Sequence, residues 1–237
     1  MPHQFTECKV INIIDESDSV KRFFIKVPDE IPFTFKAGQF VELDLPVDSK
    51  VVDRSYSIAS PPANDNIFEL AIVHKPGGIG STYLFEKIQV GSGMRVSKAL
   101  GKFTLPETLD SDICFACTGT GIAPLRSMLH DIFNKNIPHK NIYLIFGNRW
   151  VKDILYRNEM EELERKHPEF KFIPVLSRDN PGWTARKGYI HAVYEELFAD
   201  KRPAFFYISG WPVIVREARK RIEAMGYDKS RIRFELY

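Results

Sequence analysis

Apolar and polar positions change rhythm about halfway along the chain. Over residues 1–105 they alternate in short runs: "KVINII", "VKRFFIKV", "QFVELDL", "RSYSIAS", "IFELAIV" and "MRVSKAL". Pro, Gly, Asn and Asp separate these runs. Period-two runs bounded by turn residues predict antiparallel strands, hence a sheet or barrel. One helical stretch, "STYLFEKI" at 81–88, interrupts them. From residue 112 the runs become almost wholly apolar: "DICFACT", "NIYLIFG", "KFIPVLS", "AFFYIS" and "RIRFEL". Strands buried on both faces read this way. Helical stretches lie between them: "APLRSMLHDIFNK", "DILYRNEMEELERK", "YIHAVYEELF" and "VIVREARKRIEAM". The prediction is an α+β chain of two domains. Residues 1–105 form an antiparallel β-barrel, and residues 106–237 an α/β domain with a parallel sheet of five strands. The boundary falls near "TLPETLD", residues 104–110.

One strand does not fit a simple core. In "RSYSIAS", residues 54–60, alternation places Arg54, Tyr56 and Ile58 on one face and Ser55, Ser57 and Ala59 on the other. An Arg and a Tyr on an apolar face call for something other than core to meet them.

Composition narrows the classes. The 237 residues suffice for two domains, and a net charge of +2 gives no argument for nucleic acid or a membrane surface. No run approaches the roughly 20 apolar residues of a membrane span, and the N-terminus shows no cleavage pattern. The three cysteines, Cys8, Cys114 and Cys117, are a sparse, odd set that suits a reducing compartment, so the cytoplasm is expected. Cys114 and Cys117 lie along a predicted buried strand rather than at a helix start, which makes them core residues and not a redox pair. The six histidines show no metal spacing.

Two glycine-rich turns carry candidate chemistry. "TGTGIAP", residues 118–124, follows the first strand of the second half and opens its first helix. Gly119 and Gly121 let the backbone turn and approach a bulky group, Pro124 suits a first helical turn, and the free amides there favour a phosphate. "PGGIGSTYL", residues 76–84, repeats the arrangement in the first half. Each alone is also an ordinary turn; the two together imply two nucleotides, or a dinucleotide and a flavin. "FGNR" ends the second parallel strand and "LSRD" the third, at the edge where doubly wound sheets bind ligands. Asn148 and Arg149 stand where an acidic residue would hold a free ribose hydroxyl. Arg149 and Arg178 together suggest a 2′-phosphate, hence NADP; either alone reads first as a solvated loop arginine. Arg186 and Lys187 in "RDNPGWTARKG" are possible substitutes.

Six segments in order, "RSYSIAS", "GGIGSTYL", "CTGTGIAP", "FGNR…DILYRNE", "LSR" and "ISGW…FELY", resemble the ferredoxin–NADP reductase superfamily across nearly the whole chain. The resemblance implies a FAD-binding barrel at 1–105 and an NADP-binding domain at 106–237. It implies that Arg54 binds flavin phosphate, Tyr56 packs on the isoalloxazine and Ser57 contacts the N5 region. Gly78, Ile79, Gly80 and Ser81 hold the pyrophosphate, and Ser55, Val73 and Lys75 belong to the same set. Alternation alone does not let Tyr56 and Ser57 both reach the flavin, so the strand bends there or the ring crosses its edge. Thr118, Gly119, Thr120, Gly121 and Pro124 face the nicotinamide nucleotide, with Arg149, Ser177, Arg178, Arg186 and Gly210.

The catalytic set implied is Ser57, Ser209 and Glu235. Ser209-Gly210 departs from the Cys-Gly usual in the family, and loses a polarizable sulfur. Glu235 and Tyr237 resemble the carboxylate and stacking aromatic of plant-type members. The implied activity carries electrons between NADP(H) and a separate one-electron carrier such as ferredoxin or flavodoxin, since the sequence shows no fused iron–sulfur or haem module. A monomer is expected. The alternatives are a free-flavin or ferric-chelate reductase, an electron-transfer subunit of a larger enzyme, and a nucleotide-sensing regulator.

Overall fold

The computed structural model describes residues 4–47, 50–63 and 65–237, without the side chains of 50 and 51. The first antiparallel sheet contains β1 (Phe5–Ser17), β2 (Val20–Lys26), β3 (Phe40–Val47), β4 (Lys50–Ser57), β5 (Ile67–Val73) and β6 (Gly93–Ser97). Their order is β4-β3-β6-β1-β2-β5. Just beyond β4 an antiparallel bridge, Ile58 to Leu70 of β5, joins the two ends of that order into a barrel. Alternate residues point inward: Val41, Leu43 and Leu45 of β3, Phe23 and Ile25 of β2, and Phe68, Leu70 and Ile72 of β5 form one core. Helix α1 (Ile79–Glu86) adds Leu84 to that core.

The second sheet is parallel throughout, in the order β11-β10-β7-β8-β9. Its strands are β7 (Asp112–Thr118), β8 (Ile142–Asn148), β9 (Phe170–Leu176), β10 (Ala204–Gly210) and β11 (Ile232–Leu236). Cys114 and Ala116 of β7, with Phe206 and Ile208 of β10, bury against α4 (Ile190–Leu197) and α5 (Pro212–Ala224). Phe115 and Tyr207 meet edge-on with the opposite parity. Both faces are therefore covered, which is why these strands read as unbroken apolar runs. Cys8, Cys114 and Cys117 are buried free thiols. Burial pushes the Cys117 thiol well up from its ordinary value.

The chain packs as two compact units. One extends to Leu105 and also takes in Arg126–Lys135; the other holds Pro106–Leu125 and Asn136–Tyr237. Helix α2 (Ile122–Asn134) thus lends most of its length to the barrel unit. Polar contacts help to hold it there. Arg126 Nη1 donates to Ala59 O at 2.8 Å and to Glu69 Oε2 at 3.2 Å, while Arg22 Nε donates to Glu69 Oε1 at 2.7 Å. Ser127 Oγ donates to Ser60 O at 2.7 Å. Glu69 is 2% exposed, so it sits between two guanidinium groups with little water to compensate it. These bonds hold the Ala59–Ser60 backbone that follows the "RSYS" segment.

Two predicted elements start elsewhere. The first strand begins at Phe5 rather than Lys9 and pairs with both β2 and β6. Helix α3 spans Arg157–Lys166, four residues shorter than the pattern suggests. Tyr156, at φ 54°, is left-handed and stops the helix from running back.

Candidate functional site

In the barrel unit, β4 pairs with β3 so that Arg54 lies opposite Leu43 and Tyr56 opposite Val41. Residues directly opposite share a face, and Val41 and Leu43 face the core. Tyr56 packs against that core, and burial pushes its phenol up to about 12, so it stays neutral at physiological pH. Arg54 instead meets the first turn of α1: a Cβ placed on Gly80 would lie 3.0 Å from Arg54 Cγ. The guanidinium is exposed, donates only to its neighbour's carbonyl, Asp53 O, at 2.8 Å, and makes no ion pair with a described residue.

The α1 turn supplies amides rather than side chains. Gly78 is its N-cap with no side-chain cap, which leaves the amides of Ile79, Gly80 and Ser81 without intrahelical acceptors. The Ser81 hydroxyl is used inside the turn: it accepts from Lys75 N at 3.1 Å and lies 3.2 Å from Gly78 O. Its part in holding a pyrophosphate would fall to its N–H. Lys75 and Val73 are exposed beside this turn, Ser55 is exposed on β4, and Ser57 is buried at the strand's end. An exposed guanidinium with no ion pair among the described residues, beside helix-start amides without intrahelical acceptors, fits the phosphates of FAD.

In the α/β unit the strand order reverses between β7 and β10, and the chain leaves the sheet there in two glycine turns. Thr118 ends β7, Gly119–Gly121 form a single 3-10 turn, and α2 follows with Pro124 in its first turn. A Cβ on Gly121 would lie 2.5 Å from Ser209 O. Gly210, at φ 143°, would bring a Cβ within 2.4 Å of Thr118 Oγ1. Two adjacent strand ends are thus packed backbone against backbone. Thr118 Oγ1 and Ser209 Oγ are both buried without a hydrogen-bond partner. Such a pair costs free energy until something polar arrives, which fits a nucleotide amide at the switch point of the sheet. Thr120 is half-buried at the same turn. Gly121→Ala should cost about 1–3 kcal/mol of stability, because the clash is with backbone; urea melts measure it.

Ser209 pairs across the sheet with Cys117 on one side and Glu235 on the other. Tyr237 N donates to Gly210 O at 3.2 Å, and its phenol donates to Glu235 Oε2 at 2.9 Å. The structure therefore groups Thr118, Gly121, Ser209, Gly210, Glu235 and Tyr237, while Ser57 belongs to the barrel unit.

Arg149 and Arg178 are exposed just past β8 and β9, and neither makes an ion pair with a described residue. Ser177 N donates to Asn148 O at 2.9 Å, tying the strand ends together. Arg186 differs: it forms a two-pronged pair with Glu196, with Nη2 2.6 Å from Oε1. Lys187 pairs with Asp179 at 3.0 Å. Both substitutes thus already have a carboxylate partner. Sequence reasoning passed over Asn180, whose carboxamide bonds both arginine backbones; an Asn-Pro step in a polar loop was the available signal. Among the described residues, no three His, Cys, Asp or Glu side chains are grouped to hold a metal ion, and no helix is long and apolar enough to cross a membrane.

Residues 7–105 match the oxidoreductase FAD-binding domain, and residues 115–220 the oxidoreductase NAD-binding domain. A barrel of the FAD-binding kind followed by a parallel sheet of the NAD-binding kind defines a flavin- and nicotinamide-dependent oxidoreductase. The chain is 35% identical over 194 residues to ferredoxin–NADP reductase B of Sorangium cellulosum, covering 82% of this chain and 79% of that one. It is 28% identical to the glycine betaine monooxygenase reductase subunit of Chromohalobacter salexigens, over 97% of this chain but only 63% of that relative's length. Among solved structures, a ferredoxin NADP+ reductase from Neisseria gonorrhoeae with bound FAD and NADP superposes with a TM-score of 0.85 at 25% identity, covering 98% of each chain. The chain belongs to the ferredoxin–NADP reductase superfamily and is a flavoprotein reductase.

Proposed function

We propose that this reductase uses NADPH in preference to NADH, holds FAD as a resident group, and passes electrons to a separate one-electron carrier protein such as a ferredoxin or flavodoxin. The observation that carries the coenzyme choice is the pair of exposed arginines, Arg149 and Arg178, neither of which makes an ion pair with a described residue, with Asn148 standing where a carboxylate would hold a free ribose. A relative named ferredoxin–NADP reductase supports the acceptor class.

FAD, when bound, supplies the chemistry that accepts a hydride and releases electrons one at a time. The protein's part is placement. Arg54 and the α1 amides neutralise the flavin's phosphates. Thr118 and Ser209 offer buried hydroxyls to the nicotinamide carboxamide and orient it. Ser209 stands where the family usually has Cys, so it gives a hydrogen bond but not a soft sulfur. Glu235 accepts from the Tyr237 phenol, while the Tyr237 backbone is tied to Gly210. We assign the protein to the cytoplasm, where its three buried thiols stay reduced.

Tyr237 has a further consequence. If its ring occupies the nicotinamide's place beside Gly210, the coenzyme displaces it on binding. Offset stacking contributes roughly 0.5–1.5 kcal/mol, so Tyr237→Ser should tighten NADP⁺ about twofold to tenfold and blunt discrimination against NADH. Unchanged NADP⁺ affinity by calorimetry would leave Tyr237 as a cover for the end of β11.

A second reading is favoured by the monooxygenase reductase subunit: the chain serves as the electron-supplying component of an oxygenase. Anaerobic titration separates the readings. Purified protein should be yellow and bleach with NADPH well before NADH, then reduce a ferredoxin or flavodoxin in steady state. Slow turnover with both carriers, with rapid bleaching by NADPH, would favour the oxygenase component. Protein unable to take up FAD would sink both.

A further inference from the structure

We propose that Asn180 is the positioning residue of the coenzyme-discriminating site, holding Arg149 and Arg178 as a preformed pair for a phosphate monoester dianion. The inference rests on the reading that these arginines meet a 2′-phosphate. Asn180 is 8% exposed in a loop whose neighbours Arg178, Asp179, Pro181 and Gly182 are all exposed. Its Nδ2 donates to Arg178 O at 2.8 Å and to Arg149 O at 3.2 Å. Its Oδ1 accepts from Val151 N at 3.0 Å. The amide orientation is unambiguous, since the nitrogen faces two carbonyls and the oxygen an N–H. Of the natural side chains of this length, only a carboxamide meets that set: a carboxylate has nothing to donate, and a hydroxyl has one proton for two carbonyls.

The consequence is geometric. Arg149 and Arg178 belong to loops leaving different strands, and one nitrogen atom bonds the backbones of both. Both side chains start from backbones tied to one nitrogen atom, and a phosphate dianion is attracted to both positive charges, whereas a ribose hydroxyl is not. The neighbouring cations already have carboxylate partners, Arg186 with Glu196 and Lys187 with Asp179. With the backbones fixed, less ordering is needed when the phosphate binds.

The test uses the FAD-loaded protein and measures KM and kcat for NADPH and NADH, together with calorimetric binding of 2′-phospho-AMP and of 5′-AMP. Asn180→Ala should raise the KM for NADPH about tenfold and weaken 2′-phospho-AMP about as much, with kcat and both NADH parameters unchanged. Asn180→Ser, a second truncation that keeps a polar side chain in the loop, guards against a folding failure of the first and should lose about as much. In an Arg149→Ala, Arg178→Ala background, adding Asn180→Ala should change NADPH binding no further. Equal losses for both coenzymes, or an undiminished NADPH preference in both Asn180 variants, overturns the positioning role. If the arginine double variant itself keeps its NADPH preference, the 2′-phosphate reading fails, and the Asn180 role with it. If that variant loses the preference while the Asn180 variants keep it, only the Asn180 role fails.

Discussion

Arg54→Ala yields protein that loses most of its flavin on dialysis, while its far-ultraviolet circular dichroism stays unchanged. Two features of the structure lead there. The guanidinium lies against the Gly80 turn, so removing it strips the positive charge from a place where free amides already gather. It also contributes little to the fold, since its one bond to a described residue is to the carbonyl of Asp53 and it is exposed. A charge-assisted contact is worth about 1.5–3 kcal/mol, so the FAD dissociation constant should rise roughly tenfold to a hundredfold. Arg54→Lys retains the charge without the two-pronged geometry and should fall between. The ratio of absorbance at the flavin band to that of the protein reads retention, and fluorescence titration reads affinity. Equal retention by the wild type and Arg54→Ala would remove Arg54 from the flavin site.

The architecture was legible because its signals are local. Val41, Leu43 and Leu45 alternate with polar residues on β3, and the strand needs no distant information to declare its buried face. Cys114 to Cys117 form an unbroken apolar run because helices cover both faces of β7. Local signals also mislead. Ile154, Leu155 and Tyr156 are buried like the start of a helix, yet they form a bend ended by a left-handed tyrosine. Apolar periodicity reports burial and not the backbone path.

The site was legible where glycine spacing marks it, at residues 78–81 and 119–121. It was opaque where its parts are held by partners far off in sequence. Glu69 occupies a strand position that reads as an outward polar residue; Arg22 and Arg126, 47 and 57 residues away, make it a buried anion that anchors the chain after "RSYS". Ser81 reads as a phosphate ligand, but its hydroxyl closes its own turn. Arg186 reads as a spare cation, and only α4 reveals Glu196 as its partner. Residue type was visible in each case; whether the group was already satisfied was not.

The double variant Arg149→Ala, Arg178→Ala should weaken NADPH by about 10²–10³-fold and leave NADH nearly unchanged. Each charge-assisted contact to a phosphate contributes about 1.5–3 kcal/mol, and both arginines are exposed, so solvent screening holds the sum below simple additivity. Neither side chain forms an ion pair with a described residue, so their removal leaves no buried charge unpaired, and stability should move by less than about 0.5 kcal/mol. The ligand's own titration supplies a second check. A phosphate monoester loses its second proton near pH 6, so a dianion above that pH becomes a monoanion below it. NADPH preference in the wild type should therefore shrink as the pH falls through about 6, and shrink again as salt is raised. The double variant should show neither trend. Stopped-flow reduction of the flavin with each coenzyme, at pH 5.5 and 7.5, reads both effects in one series. A preference for NADPH that survives the double substitution would mean that other groups read the 2′-phosphate, and equal losses for NADPH and NADH would mean that the arginines serve the shared part of the dinucleotide.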